Sequence, residues 1–217
     1  MSAATLTLSS KNYGAWGLRG WLLCRMAGLD FAEKAISADD PDARAELLLL
    51  SPSFQVPRLE HQGVAVWDTL AIAEYLNETF PKAGLLPADK PARAHCRSIC
   101  GEMHSGFANL RSALPMNIKA RHKGYKIFAG AKPDIERIKQ IWSECLETYG
   151  GPYLFGKPSA ADAFYAPVVT RFATYDVVLE KHLDKYCRLI TAWDLVQEWT
   201  EAALAEPDDM EELDVEF

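Results

Sequence analysis

Gln55-Val56-Pro57-Arg58-Leu59-Glu60-His61-Gln62-Gly63-Val64-Ala65-Val66-Trp67-Asp68-Thr69-Leu70-Ala71-Ile72 is the stretch on which the reading of this chain turns. Two short β-prone runs, 56–60 and 64–67, flank His61-Gln62-Gly63, a hairpin signal. Asp68 then opens a helix over 69–78, with Leu70, Ile72, Ala73 and Leu76 as its apolar stripe. A proline is tolerated at the start of a strand, and a cis bond can be held there. With a cis bond, the Val56 N–H and C=O face outward and can pair with an extended peptide as a sheet edge does. With a trans bond, Pro57 is an ordinary loop-to-strand residue. At the helix start, backbone N–H groups favour a carboxylate, Thr69 adds a donor, and Asp68 can hold an ammonium. An α-amino acid head group fits that arrangement; the alternative is that Asp68 only caps the helix.

Upstream, Thr5-Leu6-Thr7-Leu8 reads as a strand, 9–13 as a loop, and 16–26 as a helix stopped by Gly28. A second strand over 31–37 and a short helix over 42–50, ended by Ser51-Pro52, complete a βαβαββα unit. Downstream, Pro81, Gly84 and Pro87 mark a linker. The β signal then vanishes, and helices are expected over 93–114, 133–149, 159–175, 180–189 and 192–205. The expected architecture is α/β followed by all-α: a first domain over 1–82, a helical domain over 88–205, and an acidic tail over 206–217.

No apolar run of the 217 residues approaches the ~18 needed for a membrane span. The first ten residues lack signal-peptide character, so the expected address is the cytoplasm. Cys24, Cys96, Cys100, Cys145 and Cys187 are scattered without metal or redox spacing, so reduced, packed thiols and no metal site are expected. Of the 30 acids, seven lie between Glu206 and Phe217, which leaves 23 against 23 bases over the rest. A neutral body with an acidic tail has no electrostatic reason to bind nucleic acid or an anionic membrane. Ser159 and Asp162, three residues apart before an apolar run, read as a structural capping box.

In order, the strand, Gln-Val-Pro, Asp-Thr before Leu-Ala-Ile, the Pro/Gly linker and the Ser-x-x-Asp of the helical half resemble the cytosolic glutathione transferases. The bacterial zeta-like branch is the most similar, and the likeness covers roughly residues 4–205. It implies a thioredoxin-like first domain and a homodimer. It also implies glutathione as co-substrate, held by Gln55, Val56 and Pro57 along its cysteinyl backbone and by Asp68 and Thr69 at its γ-glutamyl end.

One departure lies where the chemistry belongs. Relatives carry a loop similar to Lys-Asn-Tyr-Ser-Ser-Trp-Ser-Leu-Arg, whose hydroxyls favour the glutathione thiolate over the thiol. Here it reads Lys11-Asn12-Tyr13-Gly14-Ala15-Trp16-Gly17-Leu18-Arg19, with all three serines replaced. Tyr13, Asn12 or backbone N–H groups freed by the glycines are the available substitutes. Arg19 reads as a structural pair, Met103 and Phe107 as core, and His104 as a satisfied polar residue. Two functions follow. The first is a transferase or isomerase acting on a small electrophile through the glutathione thiolate. The second is a non-catalytic module docking a protein partner through its acidic-apolar tail, with Leu213, Val215 and Phe217 on one face. Resemblance offers the tubulin-like division protein FtsZ as such a partner.

Overall fold

The structure is a computed structural model and describes residues 4–35 and 56–206. The 42–50 helix, Gln55 and the tail residues Leu213, Val215 and Phe217 lie outside the described residues. Strand β1 (Ala4–Leu8), helix α1 (Ala15–Met26), strands β2 (Ala32–Ala35), β3 (Arg58–His61) and β4 (Val64–Trp67), and helix α2 (Thr69–Thr79) form the first half. The sheet order is β2-β1-β3-β4, with β1 and β2 parallel and the other pairs antiparallel. The β3–β4 loop is Gln62 and Gly63, both at positive φ (50° and 80°), the two-residue turn whose twist matches the strands it joins. Leu6, Leu8 and Leu59 on the inner face pack with Leu18, Leu22 and Leu23 of α1 and Ile72 and Leu76 of α2.

The second half is helical among its described residues: α3 (Lys90–Ser105), α4 (Ala108–Ala113), α5 (Lys132–Tyr149), α6 (Ala160–Thr174), α7 (Lys181–Thr191) and α8 (Asp194–Leu204). The helix expected over 93–114 is in fact two. Gly106 leaves the helical region and Phe107 takes φ 61°, burying its ring. Arg111 stabilises the break. Its Nε donates to the Gly106 carbonyl, and its Nη2 donates to those of Met103 and His104. These are carbonyls that the end of a helix leaves without partners. Periodicity could not register this, because the cap is a side chain from the next helix.

Helix α6 runs through the centre with thirteen buried residues and packs on α1, α3 and α7, so a single apolar cluster joins both halves. Its start is the expected capping box. Asp162 accepts from Ser159 N–H (2.9 Å), Ser159 hydroxyl (3.0 Å), Leu154 N–H (3.1 Å) and Tyr186 hydroxyl (3.2 Å). Burial pushes its carboxyl up to about 6 in spite of those four donors. All five cysteines are free. Burial raises the Cys24, Cys145 and Cys187 thiols to about 12 and Cys100 well above its usual range, so none of these four is poised as a nucleophile. Among the described residues no helix is long and apolar enough to cross a membrane, and no His/Cys/Asp/Glu group can hold a metal.

Candidate active site

Strand register builds the site. Thr7 sits opposite Arg58, and Arg58 opposite Trp67. The C-terminal end of β1, with the loop that follows it, therefore lies beside the start of β3 and the end of β4. Pro57 precedes Arg58 and Asp68 follows Trp67, so the two motifs of the opening stretch are brought side by side. The Val56–Pro57 bond is cis. Gly20 of α1 lies against this proline: a β-carbon there would stand 2.7 Å from Pro57 Cγ, which only glycine avoids.

Asp68 caps the helix, one of the two roles that the sequence left as alternatives, and its second oxygen meets a histidine. Its Oδ1 caps α2, accepting from Leu70 N–H at 2.8 Å, while its Oδ2 lies 3.1 Å from His104 Nε2. It does so at φ 73° and ψ 134°, a backbone strain of about 1–3 kcal/mol for a residue with a side chain. Thr69 is fully buried, with Oγ1 3.5 Å from His104 Nδ1. A carboxylate can only accept, so the proton sits on His104 Nε2 and leaves Nδ1 to face the Thr69 hydroxyl. Burial lowers the His104 pKa; Asp68 opposes that shift, and Arg19 and Arg111 add to it. His104 is thus a neutral bridge from α3 to the start of α2. Its place on the helix gave no sign of this, because the crossing of α3 over α2 is a tertiary fact.

The β1–α1 loop is tightly held. Asn12 is fully buried; its Oδ1 accepts from Lys119 N–H at 2.9 Å and its carbonyl from Ile118 N–H at 3.3 Å. Its Nδ2 is buried without a partner among the described residues. Tyr13 lies beside it, with its N–H 3.3 Å from Ser10 Oγ. The three positions without serine are not equivalent. A β-carbon on Gly14 would lie 2.2 Å from the Ser10 carbonyl oxygen, and one on Gly17 would point at Leu8 and Trp199 in the core. Ala15 alone already carries a β-carbon.

Arg19 departs from the expected structural pair. It is fully buried and donates through Nε to the Phe164 carbonyl at 3.0 Å, but Nη1 and Nη2 have no partner among the described residues. Its guanidinium stacks 4.5 Å from the Trp16 ring, with Arg111 4.8 Å from the same ring. Burial, then Arg111 and Arg171, push its pKa well down. Cation–π contact offsets part of that cost, but an unpaired buried charge is a poor source of stability. Arg19→Met is expected to unfold within about 1 kcal/mol of wild type, or later, in urea. A loss above about 3 kcal/mol would show that the two guanidinium nitrogens are satisfied by ordered water or a bound group.

Residues 13–79 match the family model for the glutathione S-transferase N-terminal domain, and residues 104–202 that for its C-terminal domain. The chain is 30% identical over 158 residues to glutathione S-transferase 1 of Dianthus caryophyllus, covering 71% of each. It is 31% identical over 149 residues to maleylacetoacetate isomerase of Rattus norvegicus, covering 63% of this chain and 62% of that one, under two thirds of the isomerase. A Burkholderia glutathione transferase homolog solved with bound glutathione superposes at TM-score 0.70, with 22% identity and 93% and 97% coverage. Maleylacetoacetate isomerase of Anaeromyxobacter dehalogenans does so at 0.66, with 21% identity and 96% and 99% coverage. At those identities the two structures speak for the fold alone.

Proposed function

Since the chain belongs to the glutathione S-transferase family, we propose that it binds glutathione at the end of the sheet where Val56–Pro57 meets Asp68–Thr69. In this reading its thiolate attacks a small electrophile between the two halves, as a transferase or an isomerase. The carrying observation is Asp68, whose Oδ1 is spent on the helix while Oδ2, held 3.1 Å from His104 Nε2, stands beside Thr69 at the start of α2. That combination offers an acceptor for an ammonium and donors for a carboxylate, the two charges of a γ-glutamyl head group. Gln55 and Val56 would extend the contact along the peptide. Asn12 Nδ2, with Tyr13 beside it, is the donor set for the sulfur, since a hydrogen bond to the thiolate lowers the thiol pKa. The unpaired buried guanidinium of Arg19, and Arg111 nearby, favour an electrophile that carries negative charge.

Calorimetry with glutathione tests this directly. Thr69→Ala is expected to weaken binding about tenfold, the ~1.4 kcal/mol of one hydrogen bond to a charged group. No heat with the wild type up to millimolar glutathione would overturn the proposal. The docking of a protein such as FtsZ through Leu213, Val215 and Phe217 would then be the reading left to pursue, and those residues lie outside the described ones.

A further inference from the structure

Glu206, just beyond α8, is bound to the loop between β1 and α1 although nearly the whole chain separates them in sequence. Its carboxylate accepts from Lys11 N–H at 2.5 Å, Asn12 N–H at 3.1 Å and the Ser10 hydroxyl at 2.7 Å. Successive backbone N–H groups converging on one anion form a nest, and charge-assisted bonds of this kind are about twice as strong as neutral ones. The arrangement closes on itself. The Glu206 carbonyl accepts from Lys119 Nζ at 2.8 Å, and Lys119 N–H donates to Asn12 Oδ1. Trp199 Nε1 of α8 donates to the Lys11 carbonyl at 2.9 Å, and its ring packs edge-on against Trp21 of α1 at 5.6 Å.

Two consequences follow for the sulfur. The Lys11 and Asn12 N–H groups point at Glu206 and are spent, so these two cannot replace the serines' hydroxyls. A side-chain donor that this leaves on the loop, beside Tyr13, is Asn12 Nδ2, whose orientation is fixed because Oδ1 is tied to Lys119 N–H. We infer that Glu206 is a positioning residue: its carboxylate holds the loop in the conformation that presents Asn12 Nδ2 to the glutathione thiolate. This rests on the glutathione reading given above. Glu206 touches neither the reacting sulfur nor the head-group residues, so its removal should move the thiolate and leave affinity alone.

The full chain is used as Glu206→Ala, Glu206→Gln and, as a control, Glu198→Ala, which removes only an exposed pair with Arg25. Ultraviolet titration reads the thiol pKa of bound glutathione, calorimetry reads Kd, and thermal unfolding reads stability. With Glu206→Ala the bound thiol should titrate about one unit higher, so that about tenfold less thiolate is present at neutral pH. Affinity should stay within about twofold. Glu206→Gln, which keeps an acceptor and loses the charge, should fall between, and it decides the matter if the alanine variant does not fold. The Glu198 variant should titrate as wild type. If a folded Glu206 variant melts lower but titrates like wild type, Glu206 is only structural and the inference fails while glutathione binding stands. If the wild type does not bind glutathione, both fall.

Discussion

Asp162→Ala should unfold about 3–5 kcal/mol earlier than wild type at pH 7, a melting temperature lower by roughly 10–15 °C. The reason is what the alanine leaves behind. Leu154 N–H, Ser159 N–H and Tyr186 hydroxyl stay buried around an acceptor that is gone, and each unsatisfied group costs about 1–3 kcal/mol. Asp162→Asn should do little better, because its amide presents hydrogens to donors. The pH dependence supplies an independent check. The folded pKa of about 6 lies above the ordinary 3.8, so between those values the folded state holds a proton that the unfolded state has lost. The proton-linked part of this group's stability is therefore full below about pH 4, falls as pH rises, and is gone above about 6, a change of about 3 kcal/mol at most, while the hydrogen bonds to the carboxylate remain. Urea titrations should show the gap between wild type and the asparagine variant narrowing by that order across the interval. A constant gap, or an alanine variant within 1 kcal/mol of wild type, would remove Asp162 from its place at the centre of the helical half.

Gly14→Ser, the substitution that restores a serine of the relatives' loop, should damage the protein. A β-carbon 2.2 Å from the Ser10 carbonyl oxygen meets backbone, so the loop must move. Moving it breaks the seat of Glu206 on Lys11 and Asn12. A cost of about 3 kcal/mol is expected, at the upper end for overpacking because no flexible side chain can yield. Bound glutathione should also titrate higher, as in the Glu206 variants. Ala15→Ser, one residue on, adds only an oxygen to an existing β-carbon and should melt within a few degrees of wild type. A Gly14→Ser protein as stable as wild type, with a lower thiol pKa, would show that the loop adapts and that the serine had simply been lost.

Within the described residues, the local signals read correctly where the cause was local. The turn within His61-Gln62-Gly63, the Asp68 cap and the Ser159–Asp162 box are each set within a few residues, and each stands where the sequence put it. The one failed helix, 93–114, failed because Arg111 of the following turn satisfies the carbonyls that a break exposes. Gly106 was the only trace of it in the sequence.

The functional residues divide the same way. The helix start at Asp68 and Thr69, on which the proposed head-group site rests, is legible because a cap beside a strand-opening proline is a local pattern. His104 was visible as a residue but not as a partner, since nothing along α3 reports which element it crosses. Glu206 was counted only as one acid of a tail. Sequence alone determined the α/β and helical halves and the capping of α2 and α6, because turn, cap and periodicity preferences act over three or four residues, and it shows no serine at positions 14, 15 and 17. Only the packing of α8 on α1 through Trp199 and Trp21 decided that a carboxylate 195 residues away occupies the loop's N–H groups, because such a contact is stable only once the shared core has formed.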